Sequence, residues 1–162
     1  MLQWEKNMCP SSKYSIKSPY TMTPSYITIH NTANDASARN EISYMNSNNN
    51  QVSFHVAVDD KMAVQGLPYT RNAWHAGDGR GNGNMKSIGI EICYSKSGGA
   101  RYKAAENNAA IVAATLMKQF NIPIGNVRQH FNWSGKNCPH RMRAEGGWNA
   151  FINKVKAERA KL

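Results

Sequence analysis

His130 and Cys138 are the first side chains in this sequence that could share a metal ion. They stand eight residues apart in the segment HFNWSGKNCPH, and a loop of that length can fold both onto one cation. Imidazole and thiolate are good zinc ligands, and a catalytic zinc site combines three protein ligands with an open fourth position. His30, at the end of a predicted strand, is the candidate third ligand. A buried thiol at Cys138 and a core histidine at His130 remain the alternative interpretation.

Glu91 lies between isoleucines in the segment IGIEICYS, in the middle of a predicted strand. A carboxylate among apolar residues is unfavourable unless it is paired or takes part in chemistry. Burial in a cleft would raise its pKa, as a general base acting on a metal-activated water requires. A strand with one solvent-facing side would also explain a glutamate here, so both interpretations stay open.

Lys136, two residues before Cys138, completes a set of residues that predicts metal-assisted hydrolysis. A lysine near a metal can stabilise the oxyanion that forms when a carbonyl is attacked, although Lys136 could equally be an ordinary loop residue. Zinc makes water a nucleophile near neutral pH, and Glu91 would take the proton from that water and pass it to the leaving amine. A cysteine hydrolase, with Cys138 as nucleophile and a histidine as base, is a second enzyme class, but it leaves Glu91 without a role.

Apolar periodicity predicts that strands and helices alternate along the chain. Strands are predicted at 26–30, 52–58, 62–67, 88–92 and 127–130, and helices at 36–47, 103–120 and from Trp148 to Val155. Residues 1–25 are predicted to be irregular, and the segment GDGRGNGN at 77–84 to be a flexible loop. The interleaved pattern indicates one layered α/β domain across residues 1–162, with no boundary for a second domain.

The composition is that of a folded, strongly basic protein. Hydrophobic residues make up 41% of the chain, which is enough for a core, and no apolar stretch approaches the ~20 residues that span a bilayer. The net charge of +10 favours anionic partners such as nucleic acid, anionic lipid or wall teichoic acids. Because the basic residues are scattered and no nucleic-acid recognition motif is present, we expect neither nucleic-acid binding nor membrane insertion.

Cys9, Cys93 and Cys138 are the three cysteines of the chain. An odd number argues against a disulfide framework and fits a reducing compartment. The first residues carry no apolar run behind a basic head, so we expect no secretory signal. The protein would then be made in the cytoplasm and act on the wall after release, or leave the cell by a non-classical route.

Five segments, in order along residues 26–142, carry a resemblance to a known family: YITIHNTAN, SFHVAVDD, AWHAGDG, SIGIEICYS and VRQHFNWSGKNCPHRM. The sequence resembles the type-2 family of N-acetylmuramoyl-L-alanine amidases, which includes phage and prophage endolysins of bacilli and shares its fold with peptidoglycan recognition proteins. The resemblance implies a central mixed β-sheet flanked by helices, with one zinc ion in a surface groove. It also implies hydrolysis of the amide between N-acetylmuramic acid and L-alanine in bacterial peptidoglycan, which lyses the cell wall.

By this resemblance, His30, His130 and Cys138 are the zinc ligands, Glu91 is the catalytic acid/base and Lys136 stabilises the transition state. Many relatives have aspartate at the position of Cys138, and a thiolate makes the site softer. A non-catalytic peptidoglycan-binding module of the same fold is a further alternative. Such a module would be expected to lack a ligand, whereas all three positions here hold competent residues.

Four further residues are predicted to line the groove and bind substrate: His55, His75, Trp74 and Trp133. Structural hydrogen bonding or core packing is the alternative for each of them. No wall-binding domain is visible in the sequence. We expect a monomeric catalytic domain, which is either a fragment of a longer enzyme or attracts anionic wall polymers through its positive surface.

Overall fold

Six strands form one mixed sheet in the computed structural model, which describes residues 1–162. They are β1 (Gln3–Lys6), β2 (Tyr26–Asn31), β3 (Val56–Val58), β4 (Met62–Gln65), β5 (Ser87–Ile92) and β6 (Val127–Gln129). Across the sheet the order is β1-β4-β3-β5-β2-β6, in which β3 and β4 pair antiparallel and all other neighbours are parallel. This mixed sheet confirms the predicted α/β fold.

Seven α-helices accompany the sheet. They are α1 (Tyr14–Lys17), α2 (Ala38–Ser47), α3 (Asn82–Lys86), α4 (Gly99–Phe120), α5 (His130–Ser134), α6 (His140–Ala144) and α7 (Trp148–Ala160). The long helix α4 contacts β3, β4 and β5 and also packs along α7, whereas α2 contacts β3 and β4. None of the helices combines the length and the apolar character that crossing a bilayer requires.

The two central strands β2 and β5 are fixed by apolar pairing. Ile29 and Ile90 are completely buried and stand opposite each other in the parallel register, as expected for strands covered on both faces. One residue further along, the same register places His30 beside Glu91. Because directly paired residues share a face of the sheet, the isoleucines that align the strands also set these two polar side chains side by side.

The predicted helices correspond to α2, α4 and α7, with shifted ends. Helix α2 buries Ile42 and Met45 on one face, as its apolar spacing predicts. Its first turn is capped by Ser37, whose Oγ accepts the Asn40 N–H at 3.2 Å. Helix α4 begins at Gly99, earlier than predicted, because its first three residues, Gly99–Arg101, are exposed and carry no large apolar side chain.

The strand predicted at 52–58 is wrong over its first half. Only Val56–Val58 pairs with neighbouring strands, and all three of its residues are buried, because β3 lies inside the sheet. Val52 is 61% exposed, and residues 48–54 have no regular secondary structure. The alternation of apolar and polar residues there belongs to a loop that accepts hydrogen bonds from the side chain of Lys17 in α1.

Two further predictions miss short elements. The segment GDGRGNGN is not a loop throughout, because α3 begins inside it. The Asp78 carboxylate accepts the N–H groups of Gly83 and Asn84 at 2.7 and 3.0 Å, which stabilises that first turn. The segment predicted to be irregular at 1–25 contains β1, a polar edge strand whose sequence QWEK has no clear apolar alternation.

Candidate metal centre and active site

Three neighbouring parallel strands deliver polar side chains to one edge of the sheet. His30 lies near the carboxyl end of β2, Glu91 near that of β5, and His130 directly follows β6 as the first residue of α5. The carboxyl ends of parallel strands are where α/β proteins commonly bind ligands. Cys138 reaches the same edge because the chain turns back after α5, where the Phe131 N–H donates to the Cys138 carbonyl at 3.0 Å.

The donor atoms of the three predicted metal ligands converge. The Nδ1 atoms of His30 and His130 are 3.1 Å apart, and the Sγ of Cys138 is 3.7 Å from His30 Nδ1. All three donors lie within 4.8 Å of one another, and all three residues are buried. Donors around tetrahedral zinc stand roughly 3.3–3.6 Å apart, given its usual bond lengths. The cluster therefore fits a zinc ion in both size and ligand type.

The chemistry of the cluster also favours a cation. Two unprotonated nitrogens at 3.1 Å direct their lone pairs at each other, which is unfavourable unless a proton or a metal ion lies between them. Burial lowers the pKa of His30 well below its usual value, and the neighbouring rings of His75 and His130 add to the shift. Burial also lowers the pKa of His130. Both rings are therefore neutral near pH 7, which is the form that binds metals.

Cys138 needs such a cation to ionise. Burial raises the pKa of its thiol to about 12, and the Glu91 carboxylate acts in the same direction. The backbone N–H of Asn31 faces the sulfur and, with Lys136, opposes this rise. Asn31 also accepts the Arg141 N–H through its Oδ1 at 2.9 Å, which ties β2 to α6 just beyond the cysteine. A bound metal would replace the proton of this thiol.

Glu91 faces the same cluster from the neighbouring strand. Its Oε1 is 3.9 Å from His30 Nδ1, and its Oε2 has no hydrogen-bond partner in the protein. Burial raises the pKa of Glu91 to about 8, the Glu41 carboxylate adds to the rise, and Lys136 opposes it. A carboxyl group with a free oxygen beside the metal ligands can accept a proton and return it.

A groove of about 940 Å³ opens onto the cluster. The three converging ligands and Glu91 line it, and Lys136 lines it from the loop between α5 and α6. Glu41 and Tyr44 of α2 also line the groove, as do residues of the segment 48–54, which we call the groove wall. An open groove of this size suits an extended polymer better than a small, fully enclosed ligand.

Lysine side chains support the groove wall. Lys17 is completely buried, and its Nζ donates to the side-chain oxygen of Asn48 at 2.7 Å. The same Nζ donates to the carbonyls of Asn50 at 2.6 Å and Val52 at 3.0 Å. Sequence reasoning missed this role because Lys17 lies in a segment predicted to be irregular. The signal that could have revealed it is the run of asparagines, whose loop backbone needs donors from elsewhere.

The four residues predicted to bind substrate have different surroundings. Trp74 and His75 line the groove. His55 does not: it is completely buried, its Nε2 lies 2.7 Å from the Arg71 carbonyl, and its Nδ1 accepts the Gly89 N–H at 2.9 Å. Both ring nitrogens of His55 are thus engaged within the protein, and the prediction that it contacts substrate is corrected.

Trp133 also lies outside the groove lining. Its Nε1 donates to Thr28 Oγ1 at 2.9 Å, and its ring packs edge-on against Tyr26. This partly exposed indole joins α5 to β2, and its contact with substrate stays a prediction.

Comparison with known proteins extends the match seen in the sequence. The family profile described as N-acetylmuramoyl-L-alanine amidase matches residues 20–141. The chain is 58% identical over 158 residues to the N-acetylmuramoyl-L-alanine amidase CwlA of Bacillus subtilis strain 168, and the match covers 97% of this chain and 58% of CwlA. It is 58% identical over 146 residues to the amidase XlyB of the same strain, covering 90% of this chain and 46% of XlyB. The chain therefore spans about half the length of the curated relatives it matches.

The solved structure of PlyL has the same fold. It superposes with a TM-score of 0.94 and 64% sequence identity, covering 95% of this chain and 97% of that chain. The resemblance noted in the sequence and the fold it implied are both confirmed. By its motifs, its sheet and these relatives, the chain belongs to the N-acetylmuramoyl-L-alanine amidase family.

Proposed function

We propose that this chain is a zinc-dependent hydrolase that cuts the amide between N-acetylmuramic acid and L-alanine in bacterial peptidoglycan and so lyses the cell wall. The observation that carries the proposal is the convergence of His30, His130 and Cys138 beside Glu91 in an open groove. Membership of the amidase family supports the reaction. Two nitrogen donors and one sulfur donor support zinc as the metal.

One zinc ion would be held by His30, His130 and Cys138. When bound, zinc supplies Lewis acidity, which makes water a nucleophile near neutral pH and polarises a carbonyl. The protein contributes the orientation of the ligands. The Ala76 carbonyl raises the pKa of His130, and the Asn31 N–H lowers that of Cys138, so both backbone groups act on a ligand. Outer hydrogen bonds of this kind orient metal ligands.

Glu91 and Lys136 carry out the remaining tasks. The free Oε2 of Glu91 accepts the proton of the attacking water and returns it to the leaving amine of L-alanine. Lys136 lines the same groove and offers positive charge to the developing oxyanion. Its charge lowers the pKa of both Glu91 and Cys138, as expected for an ammonium close to both groups.

Digestion of purified peptidoglycan with end-group analysis tests the reaction. We expect free amino groups of L-alanine and no new reducing sugars. New reducing sugars would identify a glycosidase instead. Binding to the walls without release of either end group would favour the non-catalytic module.

Metal analysis and chelation test the cofactor. We expect one equivalent of zinc per chain, loss of wall lysis on chelation and recovery on addition of zinc. A fully active protein without bound metal would overturn the zinc dependence. The cysteine-hydrolase alternative predicts that result, but the pKa of about 12 for the Cys138 thiol leaves it almost entirely protonated near pH 7.

The positive charge of the chain supports a further part of the proposal. We propose that residues 1–162 act as a monomeric catalytic domain that anionic wall polymers attract, since the net charge is +10. Salt screens exposed charges over ~10 Å at 0.1 M. Lysis of whole walls should therefore weaken steeply with ionic strength, while hydrolysis of small muropeptides should not. Wall lysis that is indifferent to salt would remove this idea.

A further inference from the structure

We propose that His75 is a positioning residue of the metal centre, which fixes the tautomer in which His30 presents an unprotonated Nδ1 to the ion. This inference rests on the proposed function, because it takes His30 as a metal ligand. It gives His75 a different task from the substrate contact expected from the sequence. The inference rests on three groups joined by consecutive hydrogen bonds: the Ser87 carbonyl and the imidazoles of His75 and His30.

The first group is the carbonyl of Ser87, the residue that begins β5. The Nε2 of His75 lies 3.2 Å from this oxygen. A carbonyl can only accept, so the Nε2 of His75 must carry the proton of this bond. The His75 ring is buried between this carbonyl and another imidazole, with no carboxylate to pair with a positive charge. The ring is therefore neutral and has no proton on its Nδ1.

The second hydrogen bond determines which nitrogen of His30 carries the proton. The Nε2 of His30 lies 2.9 Å from the Nδ1 of His75. Because that Nδ1 can only accept, His30 must donate from its Nε2. A neutral imidazole carries one ring proton, so the Nδ1 of His30 is left with a free lone pair. This is the same atom that lies 3.1 Å from the Nδ1 of His130 and 3.7 Å from the Sγ of Cys138.

The surroundings of His75 hold its ring in place. Its backbone N–H donates to the Oδ1 of Asn84 at 2.9 Å. Its ring lies against Gly89 of β5, where an added Cβ would stand only 2.9 Å from the Nδ1 of His75. Any side chain at position 89 would therefore push the ring out of its place beside His30. With only 8% of its surface exposed, His75 is better placed to orient a ligand than to bind a polymer.

The ring protons themselves provide the first test. In the metal-free wild-type protein with isotope-labelled histidine, long-range proton–nitrogen correlation spectra distinguish protonated from unprotonated ring nitrogens. We expect His30 and His75 each to carry a proton on Nε2 and none on Nδ1. A proton on the Nδ1 of His30 would overturn the inference, and this measurement requires no variant to fold.

Zinc affinity, measured by competition with a chromophoric chelator, provides the second test. His75→Leu removes the acceptor and should weaken zinc binding about 10–100-fold. His75→Gln should recover part of this loss, because its amide oxygen can accept from His30. Gly89→Ala should weaken binding by displacing the ring without removing it. His55→Gln is the comparison variant: it removes another buried imidazole, one with no hydrogen bond to a ligand, and should lower zinc affinity much less than His75→Leu does.

The outcomes separate the two proposals. A wild-type chain that binds no zinc would overturn the proposed function and this inference with it. Wild-type zinc binding that His75→Leu matches would overturn the inference alone. A purely structural role for His75 would also be indicated if His55→Gln lowered zinc affinity as much as His75→Leu does.

Discussion

The metal-centre end of the sheet and the groove wall border the same groove, but they are built in different ways. At the metal-centre end, His30, Glu91 and His130 lie at the ends of paired parallel strands. The groove wall, residues 48–54, has no strand pairing. The carbonyls of this loop take their donors from the buried ammonium of Lys17.

This difference separates the fixed part of the site from the adjustable part. Paired strands hold the ligands in place because many backbone hydrogen bonds would have to break together before one ligand could move. The groove wall depends on a few side-chain contacts, so changes there can alter its shape without moving the ligands. We therefore expect changes at the metal-centre end to affect chemistry and metal binding, and changes in the groove wall to affect substrate binding.

Glu91→Ala has the largest expected effect and tests the chemical half of the comparison. Without the carboxylate no side chain carries the proton, so kcat on purified walls should fall by about 10²–10⁴-fold. Zinc content should stay at the wild-type level, because Glu91 is not one of the three ligands. Glu158→Gln, which neutralises a carboxylate on α7, is the control and should leave lysis unchanged. Near-full lysis by Glu91→Ala would refute the assigned role.

His55→Gln tests whether the buried His55 ring, next to the metal centre, makes the fold less stable at acid pH. Burial lowers the pKa of His55 from 6.5 to about 4, against the opposing effect of the Arg71 carbonyl. As the pH falls, His55 is therefore protonated in the unfolded chain before it is protonated in the folded protein. The stability that the neutral ring contributes is complete above pH 6.5 and is lost as the pH falls to about 4. From pH 7 to pH 4.5 the metal-free wild type should lose about 2 kcal/mol more unfolding free energy than His55→Gln. Equal losses in urea titrations would contradict this prediction.

Lys17→Met tests the groove wall. Methionine keeps an apolar stem but leaves the Asn50 and Val52 carbonyls without their donor, at a cost of about 1–3 kcal/mol. We expect KM for soluble muropeptides to rise by up to about tenfold, equivalent to about 1.4 kcal/mol, while kcat and zinc affinity change less. Lys13→Met should have a smaller effect, since Lys13 is only half-buried and its Nζ donates to one carbonyl of α2, Asn46 at 2.8 Å, and to one of the loop, Asn48 at 3.2 Å. A fall in kcat at constant KM would break the comparison between the two regions.

Cys138→Asp has the smallest expected effect and sharpens the assignment of the metal ligands. Aspartate also binds zinc, so we expect bound metal and lysis within about tenfold of the wild type. If Cys138 were instead the nucleophile of a cysteine hydrolase, the same variant would be inactive.

The metal-centre end was the more predictable region because its signals are local. The isoleucines around Glu91 define β5 without reference to the rest of the chain, and His130 and Cys138 are brought together by one short turn. The contact between His30 and His75 was not predictable in this way. It depends on how closely a loop passes over Gly89, and no sequence period encodes that distance.

A strand was wrongly predicted in the groove wall for a related reason. Val52 and Phe54 alternate with polar residues as in a strand, yet strand pairing begins only at Val56. A local pattern does not show that Lys17, more than thirty positions earlier, provides competing hydrogen bonds to this backbone. Long-range polar contacts of single side chains produce no periodic pattern in the sequence.

Cys138 and His30 face each other across 108 positions of the sequence. A chain emerging from the ribosome has made His30 early, but it holds no complete set of donors until residue 138 has been added and β6 has docked beside β2. Capture of the proposed ion would thus be a late event, and by mass action it would stabilise the finished fold rather than its intermediates. An incomplete or misfolded copy would lack the full set of donors for the proposed ion, and with it the hydrolytic activity proposed for the folded chain.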